Sequence, residues 1–399
     1  MTERIYYSDV YCARFTAQVL ECRESKKGYE ILLDRTAFYP EGGGQPGDDG
    51  SLTYMDQGEE VKVRVADTHE KGEEIWHYTD AAIPAGSEVQ GEINWDKRFG
   101  LMQSHSGEHI ISGMVHEKYG YENVGFHMGS DCMTIDLSGE LTMEELLEIE
   151  RKANAYIWTD VPVQIRSYTE EEVKAVSYRS KKELHGEVRI VTFPGADVCA
   201  CCGTHVSHTG EIGLVKILSV VKFRTGVRVE LLCGKAAMDY LTETWQQNRI
   251  TSVALSAKPL ETGAAVEKMK TQLLQADYRV MELEGRLFAS EADRLKGKGD
   301  MVLFTSAMAP DAVRRLAVAV MEDCGGICAV FAGSDEEGYK YAVGKPEADL
   351  RQLVKELNQT CSGRGGGKPF FAQGSVGGKR EEIVSFFEEK EIGQIMDVL

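Results

Sequence analysis

At 399 residues, 42% hydrophobic and 27% charged, the chain is long enough for two to three domains that each bury a core. No uninterrupted apolar run approaches the roughly 18 residues that cross a bilayer, and Met1-Thr-Glu-Arg-Ile-Tyr-Tyr7 is no signal peptide, so no membrane partner is expected. Ten cysteines without the spacing of a secreted disulfide scaffold point to a reducing, cytoplasmic setting, and a net charge of −19 argues against general nucleic-acid binding while allowing a local basic face.

Residues 1–90 read as a small β-barrel. Segments 14–22 and 29–34, joined by Glu24-Ser-Lys-Lys-Gly28, predict a hairpin; 61–65 alternates strictly, and 75–78 and 89–93 continue at strand-and-turn spacing. Closure hides so many short edges. Within this module lies Asp34-Arg-Thr-Ala-Phe-Tyr-Pro-Glu-Gly-Gly-Gly-Gln-Pro-Gly-Asp48. Gly42, Gly44 and Gly47 have the G-x-G-x-x-G spacing, but Pro46 and Asp48-Asp49-Gly50 lead into a turn and a strand rather than a helix, which excludes a dinucleotide site. Bare glycine backbone suits a tight turn or the close approach of a ligand. Thr36 and Gln45 are the polar candidates for a substrate pocket there.

Residues 91–235 carry two ligand pairs. His105-Ser-Gly-Glu-His109 sets two imidazoles four apart on one helix face, a usual half of a zinc site. Cys201-Cys-Gly-Thr-His205 offers the other half from a tight loop, and the combined His, His, Cys, His set has the softness zinc prefers. Cys199 and Cys202 are alternative thiolates; the spacing to His205 favours Cys201. Either pair alone reads as satisfied core histidines, but two such pairs among nine histidines favour a metal. Capping boxes at Thr142–Glu145 and Thr169–Glu172 each predict an amphipathic helix, and 125–129, 132–137, 161–166, 188–193, 213–218 and 226–232 predict strands, giving an α+β domain. His105-x-x-Glu108-His109 also fits the H-x-x-E-H peptidase pattern, with Glu108 as base and Glu183 or Glu187 as third ligand, although that leaves Cys201 and His205 unexplained.

Residues 236–299 read as a helical linker: apolar residues recur at helical spacing over 266–287, which suits a dimer seam or packing on the next domain. Residues 300–399 read as an α/β domain, with strands at 301–304, 326–331 and 339–343 and helices at 311–321, 349–357 and near Arg380. Its loop Gly363-Arg-Gly-Gly-Gly-Lys-Pro369 is no P-loop, because Ser362 and Pro369 stand where Gly and Ser/Thr belong. It is either a flexible turn or a phosphate contact through Arg364, Lys368 and backbone amides.

Taken together, Phe38-Tyr-Pro-Glu-Gly-Gly-Gly-Gln-Pro-Gly-Asp48, His105-Ser-Gly-Glu-His109 and Cys201-Cys-Gly-Thr-His-Val206 resemble the editing domain of alanyl-tRNA synthetase, and Thr209-Gly-Glu-Ile-Gly213 with Gly226-Val-Arg-Val-Glu230 extends the likeness. With no synthetase catalytic domain ahead of it, the arrangement is similar to the freestanding AlaX-type editing proteins. Phe371-Ala-Gln-Gly374 after the glycine-rich run resembles the DHH-associated domain that ends alanyl-tRNA synthetase. The resemblance implies a zinc-containing aminoacyl-tRNA deacylase, one Zn2+ per chain on His105, His109, Cys201 and His205, acting in trans on Ser-tRNA(Ala) or Gly-tRNA(Ala). The chain departs from the synthetase at Gly107-Glu108, and places His127 where the pocket strand has Gln, which makes His127 a further pocket candidate. It also implies tRNA contact through Arg364 and Lys368, or a homodimer through the linker or C-terminal domain. A non-catalytic RNA-binding protein with structural zinc, and the zinc peptidase, are the alternatives.

Overall fold

The computed structural model describes residues 2–26, 28–129, 131–180 and 186–399, which form two compact units, Met1–Asn248 and Arg249–Leu399. In the first, the short strand β1 (Glu3–Arg4) and the helical turn α1 (Ile5–Ser8) precede β2 (Arg14–Ser25) and β3 (Gly28–Leu33), and β4 (Arg35–Thr36) pairs in parallel with β1. With β5 (Gly50–Asp56), β6 (Glu59–Lys71), β7 (Glu74–Thr79) and β8 (Glu88–Ile93), they make a closed barrel in the order β2-β3-β7-β6-β5-β8. Period-two alternation drives it: Phe15, Ala17 and Val19 of β2 face inward onto Leu33, Phe38, Leu52 and Val65, while the residues between them meet solvent.

A buried polar pair fixes the barrel's interior. His77 Nδ1–H donates to the Ile31 carbonyl (3.1 Å), so Nε2 accepts from the Thr36 hydroxyl (2.8 Å), which itself accepts from the Phe38 N–H (3.1 Å). Burial pushes His77 down from 6.5 to about 4. Between those values the unfolded chain takes up a proton that the folded barrel refuses. The stability is therefore complete above about pH 6.5 and is lost as pH falls toward 4, by about 3 kcal/mol. Denaturant titrations from pH 7 to 4.5 are expected to show that slope, and His77→Gln to flatten it; an equal slope in the variant contradicts the assignment.

The barrel runs into the 25-residue helix α2 (Trp95–Tyr119), capped by the Asn94 side chain on the Lys97 N–H. Strands β9 (Asn123–Met128) and β10 (Met133–Leu137) follow, then α3 (Met143–Ile157), whose Thr142–Glu145 capping box forms as its sequence predicts. Thr169 and Glu172 bond reciprocally too, but they open one 3-10 turn (Glu172–Ala175) instead of the expected amphipathic helix, since Val176 is already extended. Strands β11 (Gln164–Tyr168), β12 (Val188–Phe193) and β13 (Asp197–Ala200) form one sheet; β14 (Val215–Phe223) and β15 (Gly226–Cys233) join β10 and β9 in another, ordered β14-β15-β10-β9. Met102, Ile110, Leu146, Ile149, Val215 and Leu231 pack between α2, α3 and that sheet.

Helix α4 (Gly234–Ala254) carries the boundary between the units, and the 34-residue α5 (Thr262–Leu295) belongs to the second. The end of α5 packs on its own unit: Phe288 and Leu295 join Val313, Leu316 and Val330, and Arg315 pairs with Glu284. Further back, Val266, Met269, Leu273, Val280, Leu283 and Leu287 stay exposed. The rest of the unit is β16 (Gly299–Thr305), α6 (Pro310–Met321), β17 (Gly325–Ser334), β18 (Gly338–Gly344), α7 (Arg351–Thr360), β19 (Arg364–Lys368), β20 (Phe371–Val376), α8 (Arg380–Glu388) and β21 (Gln394–Asp397), a six-stranded sheet ordered β19-β20-β18-β17-β16-β21. The glycine-rich run expected as a loop is thus the edge strand β19, paired with β20 from Arg364↔Ser375 to Lys368↔Phe371. Glycine lets the backbones close in: a Cβ on Gly365 would lie 2.7 Å from Gly374 Cα and 2.4 Å from the Tyr341 hydroxyl.

Candidate metal centre

Helix α2 presents His105 and His109 on one face, and the chain leaving β13 turns Cys201 and His205 toward them. One ligand atom from each of these four residues lies within 4.8 Å of the others. His105 Nε2 and His205 Nε2 each sit 3.4 Å from Cys201 Sγ, and all three rings are buried. Burial alone would raise the Cys201 thiol, but the imidazoles of His105 and His205 outweigh it and hold the thiol well below its ordinary value. The loop can pass this close because residue 203 is glycine: a Cβ there would lie 2.1 Å from His105 Cε1.

Each imidazole is held from behind through its other nitrogen. His105 Nδ1 meets Gln45 Oε1 at 3.1 Å, His109 Nδ1 meets Asp197 Oδ2 at 2.8 Å, and His205 Nδ1 meets Ser106 Oγ at 3.4 Å. Asp197 is clamped in turn by Arg179, at 2.8 and 2.9 Å, and Arg189 Nη1 holds the carbonyls of Cys201 (2.7 Å) and Gly203 (3.0 Å). Nδ1 tied outward and Nε2 turned inward is how metal-binding histidines are prepared, and three nitrogens converging with one sulfur fit a soft divalent ion.

The cluster floors a cavity of about 590 Å³, whose wall includes Gly43 and Gly44 of the barrel loop, Phe126, Glu108 and Arg189. Glu108 is buried beside the ligands but outside their set; its Oε1 accepts from Ser112 Oγ (2.6 Å) and from Asn123 Nδ2. Among the pocket candidates, Gln45 reaches the centre but behind it, fully buried. Thr36 is sealed inside the barrel with its proton on His77 and does not line the cavity. His127 is exposed, because neighbours on a strand face opposite ways; Phe126 takes the inward position and stacks on His105 with ring centroids 5.3 Å apart. Glu187 lines the cavity without joining the ligand group, and Glu183 lies outside the described residues. Arg364 and Lys368 end the exposed edge strand β19 in the second unit. Asp197, Arg179 and Arg189 carry no spacing signal, and only the fold brings them to the centre.

Three segments match known families: residues 3–97 the class II (A) tRNA synthetases, 188–229 the threonyl and alanyl tRNA synthetase second additional domain, and 299–391 the DHHA1 domain. Over 98% of its length the chain is 30% identical to the alanyl-tRNA editing protein AlaX-L of Pyrococcus horikoshii, of which it covers 98%. It is 33% identical over 94% of its length to the alanine–tRNA ligase of Halorubrum lacusprofundi, and 30% identical over 75% to that of Methanothermobacter thermautotrophicus. Of those two ligases it spans 42% and 34%.

Proposed function

The chain belongs to the family of alanyl-tRNA editing proteins, and from that premise we propose that it deacylates tRNA(Ala) mischarged with serine or glycine, acting in trans in the cytoplasm. The observation that carries the reading is the cluster of three imidazoles and a thiol at the floor of a cavity wide enough for an aminoacyl-adenosine end. We infer one Zn2+ per chain, held by His105, His109, Cys201 and His205. Held there, zinc would tie the Cys201–His205 loop to α2 and would supply Lewis-acid polarisation to the cavity above it.

An aminoacyl ester is labile, so the protein's task is placement more than nucleophilic power. The open backbone at Gly43 lets the substrate approach the wall closely, and Phe126, packed on Gly44, gives it an apolar face. Arg189 lines the cavity with no carboxylate partner among the described residues, a charge suited to a terminal phosphate. Selecting serine over alanine needs a group that bonds the added hydroxyl. Thr36 is not that group, since its proton is committed to His77 and it lies inside the barrel, away from the cavity.

Glu108 separates the deacylase from the peptidase. A glutamine in its place keeps the acceptor that Ser112 and Asn123 use, so Glu108→Gln is expected to release serine from Ser-tRNA(Ala) within about tenfold of the parent rate. A fall of about 10³-fold or more would restore the general-base role.

Arg364 and Lys368 are assigned to tRNA. They are exposed, lie four apart on one side of β19, and have no ion-pair partner among the described residues. The exposed positions 266, 269, 273, 276, 280, 283 and 287 of α5 are all apolar and repeat at three-four spacing, which assigns them to a seam with a second copy. Titration with tRNA over a salt series tests the first and sedimentation the second: an unchanged salt slope in Arg364→Ala/Lys368→Ala, or a monomer at micromolar concentration, contradicts each in turn.

A further inference from the structure

We propose that Gln45 is the positioning residue through which the β-barrel sets the metal centre. The inference rests on the metal reading above and assigns Gln45 a place behind the ligands instead of against the substrate. Its backbone is already satisfied by the reciprocal bridge to Gly42, with both N–H···O distances 3.0 Å, so its side chain is free to work across the module boundary.

Three hydrogen bonds define that work. Oε1 takes the Thr204 N–H (3.0 Å) and His105 Nδ1 (3.1 Å), and Nε2 donates to Thr204 Oγ1 (2.8 Å). The amide cannot be turned round: a backbone N–H only donates, so the group facing Thr204 N must be the oxygen. The same oxygen then faces His105 Nδ1, which must carry the proton. His105 Nε2 is left with its lone pair toward Cys201 Sγ, the form a metal needs.

One side chain thus holds both half-sites, His105 on α2 and Thr204 in the Cys201–His205 loop, although they are 60 and 159 positions from it in sequence. The fit leaves no slack. A Cβ on Gly203 would lie 3.0 Å from Gln45 Oε1 as well as against His105. Asp197 and Ser106, which back His109 and His205, come from the same domain as the ligands; Gln45 alone among these three comes from the barrel. The barrel therefore supplies part of the metal site besides a wall of the cavity.

The test uses the full chain and compares Gln45→Leu and Gln45→Glu with the parent for Zn2+ affinity by chelator competition and for the absorption of bound Co2+. The leucine variant offers no acceptor, and its affinity is expected to weaken about 10- to 100-fold with an altered cobalt spectrum. The glutamate variant still accepts from both N–H groups, and the Thr204 hydroxyl can turn to donate to it, so affinity should return to within a few-fold of the parent. A role confined to structure would lower the melting temperature of the metal-free protein and leave both metal readouts unchanged; that result overturns the proposal. Parent protein that binds no metal overturns the metal reading itself, which is a separate outcome. Should Gln45→Leu fail to fold, the nitrogen NMR shifts of the His105 ring in the metal-free parent decide: the Nδ1–H tautomer supports the assignment, and the Nε2–H tautomer overturns it.

Discussion

Cys201→Ala is expected to empty the metal centre and to lower deacylation by about 10³-fold, equivalent to roughly 4 kcal/mol of transition-state stabilisation. Cys199→Ala and Cys202→Ala should keep most of both. The three thiols differ in surroundings, not in sequence chemistry. Cys201 Sγ lies 3.4 Å from one nitrogen of each of two imidazoles, and those rings hold its thiol well below the ordinary value. Cys199 also sits near His109 and Asp197, but Asp197 is spent on Arg179, and burial pushes the Cys199 thiol up to about 11. A thiol kept protonated is a poor ligand. Cys202 is exposed, and its carbonyl is tied to the Tyr7 hydroxyl at 3.1 Å. Metal analysis beside single-turnover deacylation reads the comparison. Metal lost from Cys199→Ala and retained by Cys201→Ala would put the ligand register wrong.

Arg98→Met is expected to cost the first unit about 3–5 kcal/mol, the largest effect on stability. Arg98 and Asp48 are a fully buried pair where α2 meets the barrel. Nε donates to Asp48 Oδ1 at 3.1 Å, Nη2 to Asp48 Oδ2 and to the Ala37 carbonyl at 2.7 Å, while the Tyr39 N–H donates to Asp48 Oδ2 at 2.7 Å. Methionine fills most of the volume but leaves a carboxylate buried without its cation, and that orphaned charge carries the cost. Adding Asp48→Asn should recover part of the loss for the same reason. Urea unfolding followed at the barrel tryptophan, Trp76, measures both. A single-variant loss under about 1 kcal/mol would mean that water reaches the site and the pair does not lock the barrel to the helix.

The grouping of His105, His109, Cys201 and His205 was legible because helices and tight loops convert spacing into direction. Residues four apart on α2 had to share a face, and Cys201 with His205 had to close a short turn. The barrel was legible for a similar reason, since residues 14–22 and 61–65 alternate with period two. His127 failed on that same period: moving one residue along β9 reverses the face, and without the pairing register Phe126 and His127 cannot be told apart. Residues 363–369 read as a loop because glycine dominates turns, yet here it serves two backbones packed against Tyr341. Thr36 looked available because nothing near it in sequence announces His77, 41 positions on. Asp197 and Arg179 stayed unseen because their role exists only once β13 has carried Asp197 beside α2.

Selectivity between seryl and alanyl esters is what an editing site must show. The metal-loaded chain should be given Ser-tRNA(Ala) and Ala-tRNA(Ala) at equal concentration, and amino-acid release followed for both. Seryl ester is expected to be hydrolysed about 10²-fold faster or more, since a site that bonds the hydroxyl of serine leaves its polar group unpaired against alanine. Equal rates, or no release from either, would contradict an editing function and leave a zinc-stabilised RNA-binding protein as the better description.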